Sequence, residues 1–171
     1  EVALNSEHGL KQIAILRDHF GEKCMIGAGT AISVDLAKAA IGAGAQFLLT
    51  PGTPIDVLQY CAKQDIMLLP GVFTPGDVAT SLEFGYKTMK LFPAGCAPKG
   101  YLKALKGPYD EANYIAIGGV TIDNINDYFK EGYMGVGLAS NLMPLSVLKD
   151  ENWELGVSYV QKYVSRIKRR V

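Results

Sequence analysis

The sequence is poor in the residues that mark metal-bound, disulfide-stapled or membrane-spanning chains. Its 171 residues hold only three cysteines, Cys24, Cys61 and Cys96, and two histidines, His8 and His19. With no Cys-x-x-Cys pair and no Cys/His cluster, the pattern argues against a zinc site or a disulfide framework, and for buried thiols in a reducing compartment. No apolar run approaches the roughly 20 residues that span a bilayer, and no signal peptide is visible. The expected location is cytoplasmic. An excess of charge is also missing: 17 Lys plus Arg balance 17 Asp plus Glu. That removes the electrostatic case for a nucleic-acid or acidic partner, and the missing apolar run argues against a membrane. The basic tail Arg166-Ile167-Lys168-Arg169-Arg170 reads as a solvated helix end whose cations suit the helix dipole. The chain starts at Glu1, without a Met and inside strand-like Glu1-Val2-Ala3-Leu4, so an earlier start is expected for the whole protein.

What the chain does have is a repeating order of apolar strand, glycine-marked turn and capped helix. Met25 to Thr30 leads through Ser33 into a helix from Val34 to Ile41, with Gly42 and Gly44 as stop signals. Ala45 to Leu49 ends at Thr50-Pro51-Gly52, where Thr53 is expected to cap and Pro54 to take the first helical turn. Ile66 to Leu69 ends at Pro70-Gly71, and Thr74-Pro75-Gly76-Asp77 repeats the cap. Thr88 to Phe92 is followed by a loop and a short helix around Tyr101 to Leu105. Tyr114 to Ile117 ends at Gly118-Gly119, and Thr121 opens a helix to Phe129. Tyr133 to Val136 ends at Gly137, and a last helix lies around Glu154 to Ile167.

Strands this apolar, alternating with helices, argue a parallel sheet covered by helices, in a single domain over residues 1–171. The count is about seven strands with the fragment at Glu1. A doubly wound sheet and a closed (β/α)8 barrel both fit. Glycine and polar residues at nearly every strand's carboxyl end favour the barrel, with its first strand and helix missing from this chain.

The chemistry centres on Lys90, in Tyr86-Lys87-Thr88-Met89-Lys90-Leu91-Phe92-Pro93-Ala94. A strand ending there aims the amine into the carboxyl end of the barrel. A buried ammonium is costly unless it sheds its proton, and a neutral amine among apolar walls is what a Schiff-base enzyme needs. A lone lysine at a strand end also commonly snorkels, with its stem buried and its head in water. Gly118-Gly119 and Gly137, the latter followed by Ser140, end the last two strands. The loops after the last two strands of a barrel are its usual phosphate site, and glycine exposes backbone amides there. Glu1, if it points into the lumen, is a general acid/base beside the amine, although a terminal carboxylate is more often solvated. Ser6, Thr30 and Thr50 offer hydroxyls at strand ends, and many such groups only cap helices.

Five short motifs give these residues a context. Lys90-Leu91-Phe92-Pro93-Ala94 resembles the Lys-x-Phe-Pro-Ala motif of the 2-keto-3-deoxy-6-phosphogluconate (KDPG) and 4-hydroxy-2-oxoglutarate (KHG) aldolase family. Gly27-Ala28-Gly29-Thr30, Thr50-Pro51-Gly52, Pro70 to Pro75 and Gly118-Gly119-Val120 are similar to its other motifs, in order and spacing, between Glu1 and about Leu142. The resemblance implies a (β/α)8 barrel, a class I lyase and a typically trimeric assembly, with no cofactor, no metal and a keto-acid phosphate as substrate. It implies that Lys90 forms the imine and that Glu1 moves protons. Thr30 and Pro51 then line the carboxylate end, Phe92 packs on substrate, and Gly118, Gly119 and Ser140 hold the phosphate.

Three positions depart from the family pattern. Asn5 stands where a cation is common, so carboxylate binding leans on neutral donors or on an Arg outside the sequence. Ile117 replaces a frequent Thr before the glycine pair, and Ala139 precedes Ser140 in place of a glycine. The Leu4-Asn5-Ser6 run and Ile117 resemble the phosphogalactonate branch, and Phe92-Pro93-Ala94 the phosphogluconate branch. Two rival readings stay open at this stage: another phosphate-binding barrel enzyme, such as an isomerase or phosphosugar synthase, and a degenerate non-catalytic barrel.

Overall fold

The computed structural model describes residues 1–168. Short strands alternate with helices: β1 (Val2–Ala3), α1 (Gly9–Phe20), β2 (Gly27–Gly29), α2 (Val34–Gly42), β3 (Phe47–Leu49), α3 (Ile55–Lys63), β4 (Leu68–Leu69) and β5 (Gly71–Val72). Then follow α4 (Pro75–Glu83), β6 (Thr88–Leu91), α5 (Tyr101–Lys106), β7 (Asn113–Ile117), α6 (Ile125–Glu131), β8 (Gly135–Gly137), α7 (Leu145–Lys149) and α8 (Trp153–Lys168). Every ladder is parallel, and the strands pair in chain order, β1-β2-β3-β4 and β5-β6-β7-β8.

The two ladders are one path interrupted at Pro70. Proline has no N–H to give a ladder, yet its carbonyl accepts from the Lys90 amide at 2.9 Å. The chain therefore runs from β4 through Pro70 into β5 instead of ending at Pro70-Gly71. Counted as one, β4 and β5 leave seven strand positions of an α/β barrel of the (β/α)8 type. No helix among the described residues is long and apolar enough to cross a membrane.

Alternation along the strands sorts the side chains. Val2, Ala28, Leu48, Leu68, Met89, Leu91, Tyr114 and Ala116 face the helices and build the core in two clusters. Leu48 and Leu58 are fully buried, each contributing about 1.5–3 kcal/mol. The opposite face carries large side chains beside glycines. A Cβ on Gly27 would strike the Phe47 ring, one on Gly29 the Glu1 carboxylate, and one on Gly137 the Ile117 side chain. The lumen is thus filled by a few large groups leaning over backbone.

Some local expectations hold and others shift. Ser33 caps α2, accepting from the Leu36 amide at 3.2 Å. Thr74 and Asp77 form a capping box on α4. Burial works to raise the Asp77 carboxyl, but hydrogen bonds from the Thr74 and Phe73 amides and from the Thr74 and Thr53 hydroxyls outweigh it and hold it below the ordinary value. Thr53 does not cap α3. Pro54 occupies that position, and the Thr53 hydroxyl reaches Asp77 Oδ1 at 3.4 Å. The helix expected from Thr121 begins at Ile125, because Thr121 and Asn124 close a turn of their own first. The three thiols are free, but only Cys61 is buried, with its pKa pushed up to about 11 by burial; Cys24 and Cys96 are exposed. Arg166 is exposed near the end of α8, while Arg169 and Arg170 lie outside the described residues.

Thr74→Ala is expected to cost about 1 kcal/mol, the usual value of an N-cap hydroxyl. Thr53→Ala is expected to cost less than about 0.5 kcal/mol, since its hydroxyl caps no helix. Urea unfolding of the two variants checks the ranking, and equal losses would overturn it.

Candidate active site

Lys90 sits on β6, an inner strand of the second ladder, between Gly71 of β5 and Ile115 of β7. Its side chain points into the lumen and the residue is only 7% exposed. The Nζ lies 4.5 Å from the centroid of the Phe92 ring. Among the described residues no carboxylate lies within ion-pair distance of it. Burial pushes the Lys90 pKa below the ordinary lysine value, and the negative charge of Glu1 partly opposes that shift. The ammonium is destabilised, and one carboxylate is near enough to be felt without pairing.

The residues around it come from successive strand ends. Glu1 is exposed at the start of β1 and lays its carboxylate over the bare Cα of Gly29. Thr30 ends β2 with φ of +62°, a conformation costly for a β-branched residue. Pro51 packs on Gly71, the ladder neighbour of Lys90, so closely that a Cβ there would strike the Pro51 carbonyl. Phe92 lies against Gly118, and a Cβ on Gly118 would meet its ring at 3.1 Å. Gly118 and Gly119 both take positive φ, +86° and +83°, which glycine adopts without strain. The Gly95 amide donates to the Gly118 carbonyl at 2.8 Å.

Lys90, Glu1, Pro51, Phe92, Gly118 and Gly119 therefore form one connected group. Thr30 stands at its edge, one residue past the glycine under Glu1. Asn5 is exposed in the turn after β1. Ser140 is exposed in the loop after β8. The Thr50 hydroxyl is spent within the chain, donating to the Gly52 carbonyl at 2.6 Å and accepting from the Gly71 amide at 3.2 Å. Ser6 likewise donates to the Ala3 carbonyl at 2.9 Å. Among the described residues there is no group of three or more His, Cys, Asp or Glu that could hold a metal.

A buried amine with a depressed pKa, a nearby carboxylate and a glycine turn one strand away is a site for capturing a carbonyl. The comparisons with known proteins point the same way. The sequence model of KDPG and KHG aldolases matches residues 1–157. The chain belongs to the KDPG and KHG aldolase family. It is 31% identical over 165 residues to a 2-dehydro-3-deoxy-6-phosphogalactonate aldolase of Escherichia coli, covering 95% of this chain and 80% of that one. It is 33% identical over 155 residues to a 2-dehydro-3-deoxy-phosphogluconate aldolase of Pseudomonas aeruginosa, covering 90% and 70%. Its fold superposes with a TM-score of 0.86 and 29% identity on a Legionella pneumophila KDPG aldolase, covering 93% of this chain and 77% of that one. That crystal structure holds pyruvate captured as a covalent carbinolamine.

Sequence reasoning on the aldolase motifs missed three features of the site. Gly29 and Gly71 matter because the Glu1 carboxylate and the Pro51 backbone occupy the space of a side chain. A lone glycine inside a strand is the signal for such a close approach. The strain at Thr30 has no signature in the residue type.

Glu1 raises the Lys90 pKa by its charge, so neutralising that carboxylate, or moving it away from the amine, lowers the pKa further. Gly29→Ala forces only the flexible end of Glu1 aside. It is expected to keep the fold and shift the Lys90 titration midpoint to lower pH, as is Glu1→Gln. Titration of Lys90 by NMR with labelled lysine checks this, and an unmoved midpoint in both variants would show that the carboxylate does not act on the amine.

Proposed function

We propose that the chain is a class I pyruvate aldolase of this family, cleaving a 2-keto-3-deoxy-6-phospho sugar acid of the phosphogluconate or phosphogalactonate type. KHG is a further substrate in this reading, cleaved to pyruvate and glyoxylate. The observation that carries it is the Lys90 amine, buried in the lumen without a paired carboxylate and depressed in pKa. An exposed or ion-paired lysine would be a poor nucleophile near neutral pH.

The neutral amine attacks the C2 ketone, and the carbinolamine hydroxyl takes up a proton and leaves as water to give a protonated imine. Glu1, directly or through a water molecule, takes the proton of the C4 hydroxyl. The C4 oxygen becomes the aldehyde oxygen as the C3–C4 bond breaks, and its electron pair moves through the iminium to give an enamine on Lys90. Protonation at C3 and attack of water at C2 release pyruvate and regenerate the amine. The iminium supplies the electron sink for the cleavage. Phe92 walls the pocket, Thr30 and Pro51 line the carboxylate end, and Asn5 at the strand's exit reads the keto acid from its rim. Gly118, Gly119 and Ser140 take the phosphate of the glyceraldehyde 3-phosphate half. In support of that assignment, the amides of Gly119, Val120, Ala139 and Ser140 donate to no group of the chain among the described residues.

The same reading places the enzyme in carbohydrate metabolism, as a homotrimer in the cytoplasm. Exposed Ile32 and Ile55, 54% and 51% exposed beside the mouth, favour association. Light scattering tests the trimer.

Borohydride with pyruvate is expected to fix one pyruvate-derived adduct on the peptide containing Lys90, read by mass spectrometry. Lys90→Ala is expected to lose both the adduct and more than about 99.9% of turnover while remaining folded. An adduct elsewhere, or surviving turnover, would overturn the assignment. Assaying both epimeric phospho sugar acids then names the substrate.

The pH dependence has a definite sign. The folded-state pKa of Lys90 lies below its unfolded value. The neutral amine is lost as pH falls through the folded pKa, so kcat/KM for cleavage is expected to fall there about tenfold per unit. Folding stability is expected to rise with pH between the folded and unfolded values, because the unfolded chain binds the extra proton. A rate independent of pH in the acid limb would remove the amine from the rate-determining steps.

A further inference from the structure

The loop after β7 is held far more firmly than its turn requires. The Thr121 amide donates to Asn124 Oδ1 at 2.7 Å, and the Asn124 amide donates to Thr121 Oγ1 at 3.3 Å. That reciprocal pair fixes the Asn124 side chain, whose Nδ2 donates to the Gly119 carbonyl at 2.9 Å. From the other side Asn141, the neighbour of Ser140, donates from Nδ2 to the Val120 carbonyl at 3.2 Å. The carbonyl of Asn141 in turn accepts from the Tyr163 hydroxyl of α8 at 2.7 Å. Tyr163 is 6% exposed, so this anchor belongs to the packed interior.

Three consecutive carbonyls are therefore gripped: Gly118 by the Gly95 amide, Gly119 by Asn124 and Val120 by Asn141. A trans peptide points its N–H opposite its C=O. Holding the Gly118 and Gly119 carbonyls fixes the direction of the Gly119 and Val120 amides. Those two amides donate to no group of the chain among the described residues. A row of aimed, unspent N–H groups is a receptor for an anion, and its rigidity sets how little must be reorganised on binding. Asn141 also ties the loop carrying Ser140 to the loop carrying the glycine pair, so the two halves of the proposed phosphate pocket move as one.

The geometry points to Asn124 and Asn141 as positioning residues for the substrate's phosphate, with Tyr163 acting through Asn141. This rests on the phosphate reading of Gly118, Gly119 and Ser140. Neither asparagine needs to touch the ligand; each sets the direction of amides that do. The sequence carries a faint trace of the first, in the Thr121-x-x-Asn124 spacing after the glycine pair, and none of the second.

The test compares wild type with Asn141→Ala, Asn124→Ala and Tyr163→Phe in the full chain. Three readouts are taken: KM and kcat for the phosphorylated sugar acid, inhibition by inorganic phosphate, and pyruvate capture under borohydride. For the asparagine variants, KM is expected to rise about tenfold, the effect of one lost net hydrogen bond. kcat is retained, phosphate inhibits more weakly by a similar factor, and pyruvate capture is unchanged. Tyr163→Phe removes one oxygen from a ring that stays packed, and is expected to move KM the same way by a smaller factor. It keeps the question decidable if an asparagine variant folds poorly. Equal losses in pyruvate capture and KM would mean a merely structural role, and unchanged KM in all three variants would also overturn the inference. If wild type itself is not inhibited by inorganic phosphate, the phosphate reading fails and the inference falls with it. Wild-type inhibition with unmoved variants sinks the inference alone.

Discussion

The constraint on which the site depends is the cost of keeping an ammonium in the lumen. Lys90 is 7% exposed, and no carboxylate neutralises it at contact distance among the described residues. A close ion pair would relieve the burial and also lock the amine in its charged, unreactive form. Here an opposing charge, that of Glu1, acts on Lys90 without pairing with it. Burial wins the balance and the pKa stays depressed. The arrangement narrows the gap between charged and neutral amine, which favours a lysine that must cycle between the two.

The strand geometry that creates this condition is set by residues that give space away. Gly71 faces Lys90 across the ladder and has no side chain to fill the lumen. Gly29 lets the Glu1 carboxylate lie on the backbone of β2. Pro70 breaks the strand path but offers its carbonyl to the Lys90 amide, so the lysine backbone is held where the two ladders meet. Met89 and Leu91, on either side of Lys90, are fully buried against the helices. They pin the strand so that the intervening side chain faces the lumen.

Much of this was legible in the sequence because the signals are local. Alternating apolar runs and glycine stops gave the parallel, helix-covered architecture, and Ser33 and Thr74 marked helix starts by chemistry the structure reproduces. Failures trace to positions where the local signal is absent or points elsewhere. α1 begins at Gly9 after His8, with no side-chain cap and no acid in its first turn, so nothing announces it. Thr53 looked like a cap, but its hydroxyl reaches a carboxylate 24 residues away. Cys24 and Cys96 were expected inside on residue type alone, and loop positions left them outside. At the site, the Lys90 motif was readable from sequence. The Glu1–Gly29 contact and the Asn141–Val120 tie join residues far apart in the chain, which no spacing rule reaches.

The break at Pro70 also divides the labour. The strands before it supply Glu1, Thr30 and Pro51, backed by the core that includes Ile13, Leu48 and Leu58. The strands after it supply Lys90, Phe92 and the glycine pair, backed by the core around Leu91, Leu102 and Ile125. In the proposed reaction the carboxylate end of the substrate meets the first group and the phosphate end the second. Lys90 stands at the junction, where the C2 ketone lies in the proposed reaction. A substrate that reaches both groups bridges two separately packed halves, so its binding energy can orient the C2 ketone against an amine whose backbone is already fixed. Fixing both ends of the substrate is what turns a reactive lysine into a selective one: in the proposed reaction pyruvate fills only one half, whereas the phospho sugar acid engages both.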